Sequence, residues 1–355
     1  MSKLGIKKNT RSNAITYLIV IVAFVLFTIL SNGGVLGRKT VGLLVPACCY
    51  IVMAISLNLT VGILGELSLG HAGFMSVGAF AGVVASTGLS STITSAPLRL
   101  AGAMVIGALF AAIAGFLIGI PVLRLRGDYL AIVTLAFGEI IKEIISCLIV
   151  GTDEKGLHIV FNYNGAKTVD DLGLTPTGTA IIKGAQGATG TQTIASFTAG
   201  FVLIMVALVI VLNFVNSRSG RAVMAIRDNR IAAESVGINI TKYKMIAFTI
   251  SAAIAGAAGA LYGLNYSNIT SAKFDFNTSI LILVFVVLGG LGNIRGSIIS
   301  ATVLYVLPEA LREFADYRML VYAIVLILVM IATNSSKVRT LLTRLLPHKR
   351  EKEVD

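Results

Sequence analysis

Two short stretches of an apolar chain carry residues that could do chemistry. "GELSLGHAG" combines the carboxylate of Glu66 with the imidazole of His71, one of only three histidines in the sequence. "FGEIIKEII" places Glu139, Lys142 and Glu143 on one face of a helix, where Lys142 can pair with Glu139. Carboxylates and imidazoles commonly transfer protons, so both stretches are candidates for proton chemistry. As a proton relay, His71 would need an acidic partner at its own depth, and the sequence indicates none.

Other features of the sequence argue against an enzyme. It lacks a G-x-x-x-x-G-K-[ST] phosphate loop, an H-E-x-x-H pair, a C-x-x-C pair and a G-x-S-x-G elbow. Cys48, Cys49 and Cys147 lie in apolar runs, where packing is expected rather than a disulfide or a metal site. We therefore expect no catalytic residue, no metal and no cofactor bound by this chain.

The composition is typical of an integral membrane protein. The 355 residues are 56% hydrophobic and 13% charged, whereas a soluble domain is about a quarter charged. The apolar runs are continuous, which predicts an all-α polytopic membrane protein with a single transmembrane domain over 1–355. The third, eighth and ninth candidate spans are short or interrupted by glycine. The ten candidate spans are about 14–31, 40–62, 67–88, 98–120, 129–150, 195–216, 244–266, 278–291, 297–311 and 318–333.

The formal net charge of +12 follows the predicted topology. With ten spans and the N-terminus inside, most lysines and arginines fall in cytoplasmic segments, as the positive-inside rule requires. Both termini are then cytoplasmic, and residues 334–355 form a basic cytoplasmic tail. No basic stripe with interleaved aromatic residues occurs, so we expect a lipid bilayer and not nucleic acid as the surroundings. The first apolar run is long for a signal peptide and is interpreted as a transmembrane helix.

Two polar stretches interrupt the apolar pattern. Residues 151–193 are rich in glycine and threonine, too long for a simple connector, and predicted to be an extracytoplasmic excursion. Residues 217–243, here called the coupling loop, are predicted to be cytoplasmic. Asn229 can cap a helix of two turns from Arg230 to Val236, and Gly237 suits a left-handed stop. So short a helix needs a packing partner, either this chain's own helices or a cytoplasmic protein.

A loose internal repeat relates two glycine-rich stretches. "LGELSLG" (64–70, the first glycine stretch) and "LGGLGNI" (288–294, the second) lie five spans apart, which predicts two inverted halves with interrupted third and eighth helices. Glycines also occur in membrane helices for packing alone. The charged residues Glu139, Lys142 and Glu143, here called the Glu139 cluster, form either a structural ion pair, a polar lining or an inter-subunit contact. The candidate pathway residues are Gly65, Ser68, Gly70, His71, Gly73, Thr134, Glu139, Gly289, Gly290 and Gly292.

Four motifs, in order, resemble those of the branched-chain amino acid ABC importer permeases. They are "GELSLGHAGFMSVGAF", "LRGDYLAIVTLAFGEIIK", "SGRAVMAIRDNRIAAESVGIN" and "LGGLGNIRGSIISA", and they are similar to the M-type rather than the shorter H-type subunit. Two departures leave the substrate and the outer contacts open. "GTDEKGL" replaces the usual "TGG" after the fifth span, and Arg295 adds a charge to the last motif. Urea permeases share this architecture.

The resemblance implies a multi-pass subunit of a bacterial cytoplasmic membrane importer. Its partners would be a homologous H-type permease, two cytoplasmic ABC ATPases that bind ATP and Mg, and an extracytoplasmic substrate-binding protein. The alternative is a secondary transporter that uses His71 or the Glu139 cluster for ion coupling. The residues that the resemblance assigns to ATPase coupling are Arg227, Asp228, Asn229, Ala232, Ala233, Glu234 and Gly237.

Overall fold

A computed structural model describes most of the chain and defines two compact units, one ending at Ala301 and the other beginning at Thr302. The contacts discussed below all belong to the first unit. The predicted basic tail, 334–355, and almost all of the tenth predicted span, 318–333, lie outside the described residues. The described residues are 2–33, 37–90, 92–125, 127–153, 156–162, 165, 167–176, 178–310, 320, 323–324 and 327.

The chain is mostly helical. Within the described residues, a helix occurs at each of the first nine predicted spans, and the coupling loop contributes two further short helices. The helices are α1 (Ser2–Asn32), α2 (Arg38–Asn58), α3 (His71–Gly88), α4 (Ala96–Val122), α5 (Asp128–Ser146), α6 (Phe197–Asn216), α7 (Arg218–Asp228), α8 (Arg230–Ser235), α9 (Ile240–Gly263), α10 (Phe276–Gly289) and α11 (Ile294–Ala310). A π-helical segment, Leu59–Ile63, continues α2 and is called the π turn below.

Among the described residues, five helical segments are long and apolar enough to cross a membrane. The helix Phe276–Gly289 is apolar but shorter. The lengths and compositions of these segments fit a multi-pass membrane protein. The five segments are Asn13–Ser31, Thr40–Ile63, Ala96–Val122, Phe197–Asn216 and Ile240–Gly263.

The expectation of an all-helical chain is wrong in one region, which forms a five-stranded antiparallel sheet in the order β2-β1-β3-β4-β5. The fifth predicted span accordingly ends at Ser146, and its last residues begin β1. The sheet was hard to predict because β4 and β5 have two residues each and pair across a long sequence separation. The strands are β1 (Leu148–Asp153), β2 (Gly156–Phe161), β3 (Thr179–Lys183), β4 (Ala188–Thr189) and β5 (Asn268–Ile269).

Small residues bring the central helices close together. A Cβ atom built on Gly78 of α3 would lie only 2.4 Å from the Cα of Gly256 on α9, so these backbones touch directly. Close backbone approach through small residues is the usual way in which helices pack within a membrane. The second half of α2 and most of α9 are buried, and together they form the centre of the first unit.

Candidate coupling and pathway site

The first glycine stretch is a connector between helices. The π turn ends α2, Gly65 adopts a left-handed φ of +80°, and the amide of Glu66 donates to the carbonyl of Thr60 at 3.1 Å. Regular helix resumes at His71, so α3 itself is uninterrupted. Likewise, the second glycine stretch ends α10 rather than breaking it, and α11 begins at Ile294. The predicted interruptions therefore lie between helices, because the left-handed glycines turn the chain at helix ends.

Glu66 forms an ion pair with Lys244 that the sequence did not indicate. The ammonium group of Lys244 contacts the carboxylate of Glu66, and the two side chains are only 4% and 15% exposed. Removing one member of so buried a pair typically costs about 3–5 kcal/mol. This pair therefore fastens the first glycine stretch to the start of α9, where the coupling loop ends.

His71 is buried and bonded to a hydroxyl group. Its Nε2 lies 2.7 Å from Oγ of Ser56, and that hydroxyl lies 2.9 Å from the carbonyl of Met53. Because a serine hydroxyl has one proton, which Met53 receives, the network assigns the Nε2–H tautomer of His71 as the donor to Ser56. Within the described part of the chain, no carboxylate forms an ion pair with His71. This arrangement suits a structural hydrogen bond better than proton transfer.

The beginning of α3 lies against α5 through glycines. A Cβ atom on Gly70 would stand 2.0 Å from the carbonyl oxygen of Thr134, and one on Gly73 would stand 3.0 Å from the Cα of Gly138. The amide of Leu69 also donates to Oγ1 of Thr134 at 3.1 Å. Three predicted pathway residues, Gly70, Gly73 and Thr134, are thus brought together by close backbone packing.

Ser68 is the predicted pathway residue that lacks a hydrogen bond. It is 1% exposed, and its hydroxyl has no hydrogen-bond partner among the described residues. A buried polar group without a partner is unfavourable, so Ser68 is a polar position that the observed packing leaves unsatisfied.

Asn58 holds the second glycine stretch against the π turn. Its Oδ1 accepts the amide of Gly292 at 2.8 Å, and its Nδ2 donates to Oγ of Ser297 at 2.8 Å. Gly290 and Gly292 adopt left-handed φ angles of +90° and +80°. A Cβ atom on Gly62 would lie 2.2 Å from the amide nitrogen of Gly292, so only glycine fits there. The second glycine stretch therefore contacts the π turn, which the first glycine stretch directly follows.

Gly289, the remaining glycine of the second stretch, makes a different contact. It ends α10, and a Cβ atom built on it would lie 2.3 Å from the amide nitrogen of Ser297. The backbones of α10 and the first turn of α11 are consequently in direct contact. The added charge of Arg295 lies nearby in α11, and its Nε donates to Oγ1 of Thr16 on α1 at 2.6 Å.

The predicted cap and stop of the coupling loop are confirmed. Oδ1 of Asn229 accepts the amide of Ala232 at 3.0 Å, and Gly237 has a φ of +82°. α8 has six residues and packs through Ala233, which is 3% exposed, against Ile226 and Ile240. One side of the short helix therefore has its packing partner in this chain.

The opposite side of α8 is uncovered. Ile231 is 81% exposed and Val236 is 75% exposed, and the predicted coupling residues Ala232 and Glu234 are exposed beside them. Asp228 is also exposed and forms an ion pair with Arg227 at 3.0 Å. The coupling loop thus presents an apolar surface with charged neighbours, which suits a protein contact.

Arg227 connects the coupling loop to the glycine turns. Its Nη1 donates to the carbonyl of Gly62 at 3.0 Å. A Cβ atom on Gly65 would lie 2.6 Å from Cγ of Arg227, so Gly65 makes room for the arginine stem. No sequence pattern indicates this contact, because its members are 165 positions apart.

Glu139, the remaining predicted pathway residue, lies on α5 beside the N-terminus of α10. Its carboxylate pairs with Lys142, as predicted, and its Oε1 accepts the amide of Phe276 at 3.0 Å. It therefore stabilises the N-terminus of α10, where Asp275 accepts the amide of Thr278 at 3.0 Å. Burial alone would raise the pKa of Asp275, but hydrogen bonds from Thr278 and Asn277 outweigh burial and lower that pKa below its usual range. Both carboxylates therefore accept backbone amides at the start of α10.

Comparison with known proteins decides the family. The family described as "Branched-chain amino acid transport system / permease component" matches residues 39–330, which is most of the chain. The chain belongs to this family. The permease is thus a membrane subunit of a transport system rather than an enzyme, and the four sequence motifs identified the family correctly.

Individual relatives support the M-type assignment. The permease is 34% identical over 301 residues to the high-affinity branched-chain amino acid transport system permease protein LivM of Escherichia coli, covering 83% of this chain and 69% of that protein. It is 25% identical to a probable LivM of Methanocaldococcus jannaschii, covering 76% and 80%. Similarity to LivH of Salmonella typhimurium, 34% identical, covers only 36% of this chain and 42% of that protein. No solved structure matches.

Proposed function

We propose that this chain is the M-type permease subunit of an ATP-driven importer for branched-chain or related amino acids. The family match over residues 39–330 is the observation that carries the proposal. In this proposal an H-type permease, two ATPase subunits that bind ATP and Mg, and an extracytoplasmic binding protein complete the transporter. The permease crosses the inner membrane ten times in two inverted halves, with both termini cytoplasmic.

In the proposed mechanism, ATPase motion enters the permease at the exposed side of α8. Arg227 transmits that motion to the carbonyl of Gly62 at the end of the π turn, and Asn58 extends the connection to Gly292. The pair between Glu66 and Lys244 holds the adjoining connector to α9. The motion therefore reaches α2, α9, α10 and α11 together, as alternating access between two faces requires.

A secondary transporter is the alternative, and the site supports it less well. Ion coupling needs a group that gains and loses charge during transport. His71 is bonded to Ser56, and Glu139 is neutralised by Lys142 and engaged with the N-terminus of α10. A second alternative, another small polar solute, has a specific basis, because a fructose import permease of Bifidobacterium longum is 29% identical over 34% of this chain and 37% of its own length.

Co-purification tests ATPase docking. Ala233 is buried against its own chain, so its replacement would disturb folding, and Ile231 provides the cleaner test. We expect Ile231→Asp to reduce the amount of ATPase that co-purifies with the permease at least tenfold, because a charge replaces an exposed apolar contact. The matched control is Ile159→Asp on β2, where Ile159 is 53% exposed. Equal ATPase recovery with both variants would refute docking at α8.

A further inference from the structure

Arg99 is a buried cation that the proposed mechanism leaves unused. It lies in the first turns of α4 and is 7% exposed, and its Nη2 donates to Oε1 of Gln192 at 2.6 Å. Its Nε has no partner, and no described carboxylate forms an ion pair with it. Burying an unpaired charge is costly, and the positive end of the α4 dipole increases that cost. The region around Gln192 is therefore strongly electropositive.

Gln192 lines a cavity of about 660 Å³ at the sheet end of the first unit. The cavity lies between the last turn of α3 and strands β3 and β4. α3 has 18 residues, so this end lies about 27 Å from the glycine stretch where α3 begins. Because Oε1 of Gln192 accepts from Arg99, its amide N–H groups remain available as donors. The polar residues of the lining include Ser86, Ser90, Thr179, Lys183, Thr191 and Gln192.

The charges of the cavity walls differ from one side to the other. Lys183 is the charged residue of the described lining, and no aspartate or glutamate belongs to it. Together with Gln192 and the charge of Arg99 behind it, Lys183 makes one wall suitable for a carboxylate. The C-terminal turn of α3, with Ser86 and Ser90, forms another wall and carries the negative end of a helix dipole.

We propose that this cavity binds a zwitterionic α-amino acid on the sheet-bearing face of the permease. The carboxylate contacts Gln192 and Lys183, and the ammonium group points toward the end of α3. The cavity volume falls in the usual range for small-molecule sites, roughly 300–1,000 Å³. The choice of an amino acid as the solute rests on the proposed function, whereas the carboxylate preference rests on Arg99, Gln192 and Lys183.

Equilibrium binding of radiolabelled L-leucine to the full-length permease in lipid nanodiscs tests this proposal. We expect saturable binding, with L-leucinamide competing at least tenfold more weakly because its amide carries no negative charge. Gln192→Ala and Lys183→Gln are each expected to weaken leucine binding at least fivefold. The matched control Gln186→Ala, at an exposed position outside the cavity, is expected to leave binding unchanged. Lys183→Gln is the cleaner of the two variants, because Gln192→Ala also removes the hydrogen-bond partner of the buried Arg99.

Four outcomes would overturn the site. The first three are no saturable binding up to about 10 mM leucine, equal competition by leucine and leucinamide, or full binding by Gln192→Ala. The fourth is a cavity variant that still binds leucine but whose transporter is no longer stimulated by the binding protein in ATP hydrolysis. That result would make the cavity a protein contact. ATP-driven uptake by the complete transporter is measured in parallel. Uptake without cavity binding refutes only the cavity site, whereas absent uptake refutes the proposed function.

Discussion

At the residue scale, Arg227 makes the contact that joins the coupling loop to the membrane helices. It reaches the carbonyl of Gly62, and Gly65 leaves space for its stem. A hydrogen bond from a charged donor contributes about 1.5–3 kcal/mol, so this contact adds to the coupling between the two elements. Ala233 anchors α8 separately, so loss of Arg227 leaves the docking surface in place.

Replacement of Arg227 should therefore separate ATP hydrolysis from transport. We expect Arg227→Ala to lower leucine uptake at least tenfold in the complete transporter while the ATPase still co-purifies. The matched control is Arg221→Ala, because Arg221 also donates to a backbone carbonyl, but to that of Asn216 at the end of the neighbouring α6. Uptake per ATP hydrolysed is the deciding measurement, and an unchanged ratio in Arg227→Ala would exclude transmission through this side chain.

Replacement of His71, unlike that of Arg227, should leave leucine uptake nearly unchanged. Because the imidazole donates to Ser56 and has no acidic partner among the described residues, His71→Gln keeps a donor at that position. We expect uptake to stay within about threefold of the parent and its profile between about pH 5 and 8 to keep its shape. A flattened pH profile in the variant would show that the imidazole titrates during transport.

At the element scale, sequence and structure agree where local signals act. The helix positions follow from long apolar runs, and the cap at Asn229 and the stop at Gly237 follow from short-range chemistry. The sheet and the pair between Glu66 and Lys244 were missed because they join distant parts of the chain. The glycine motif was predicted to interrupt the third span, but its geometry, a connector between α2 and α3, depends on tertiary packing.

The contact between α3 and α5 gives the element-scale prediction. Gly70→Leu would drive a side chain into the backbone at Thr134, so the helices must separate. We expect the variant to lose leucine uptake and to unfold at a lower temperature. Gly42→Leu is the control, since Gly42 is an exposed helical glycine with no heavy atom within 4 Å of an added Cβ. Normal uptake by Gly70→Leu would mean that α5 moves aside freely.

At the scale of the whole molecule, the chain is a permease component of a transport system. The family assignment follows from motifs spread over most of the sequence, and the comparisons confirm it. The substrate and the direction of transport belong to the proposal, because relatives with similar sequences are named for different solutes. In the proposed function, ATP hydrolysis by partner subunits drives solute inward through this subunit.

Uptake of radiolabelled L-leucine into proteoliposomes tests that claim most directly. The vesicles contain the permease, its H-type partner and the two ATPases, with binding protein outside and ATP inside. We expect uptake to require ATP and the ATPase subunits and to be unaffected by a protonophore. Uptake that continues without the ATPases and follows an imposed proton gradient would show that an ion gradient, and not ATP, drives transport.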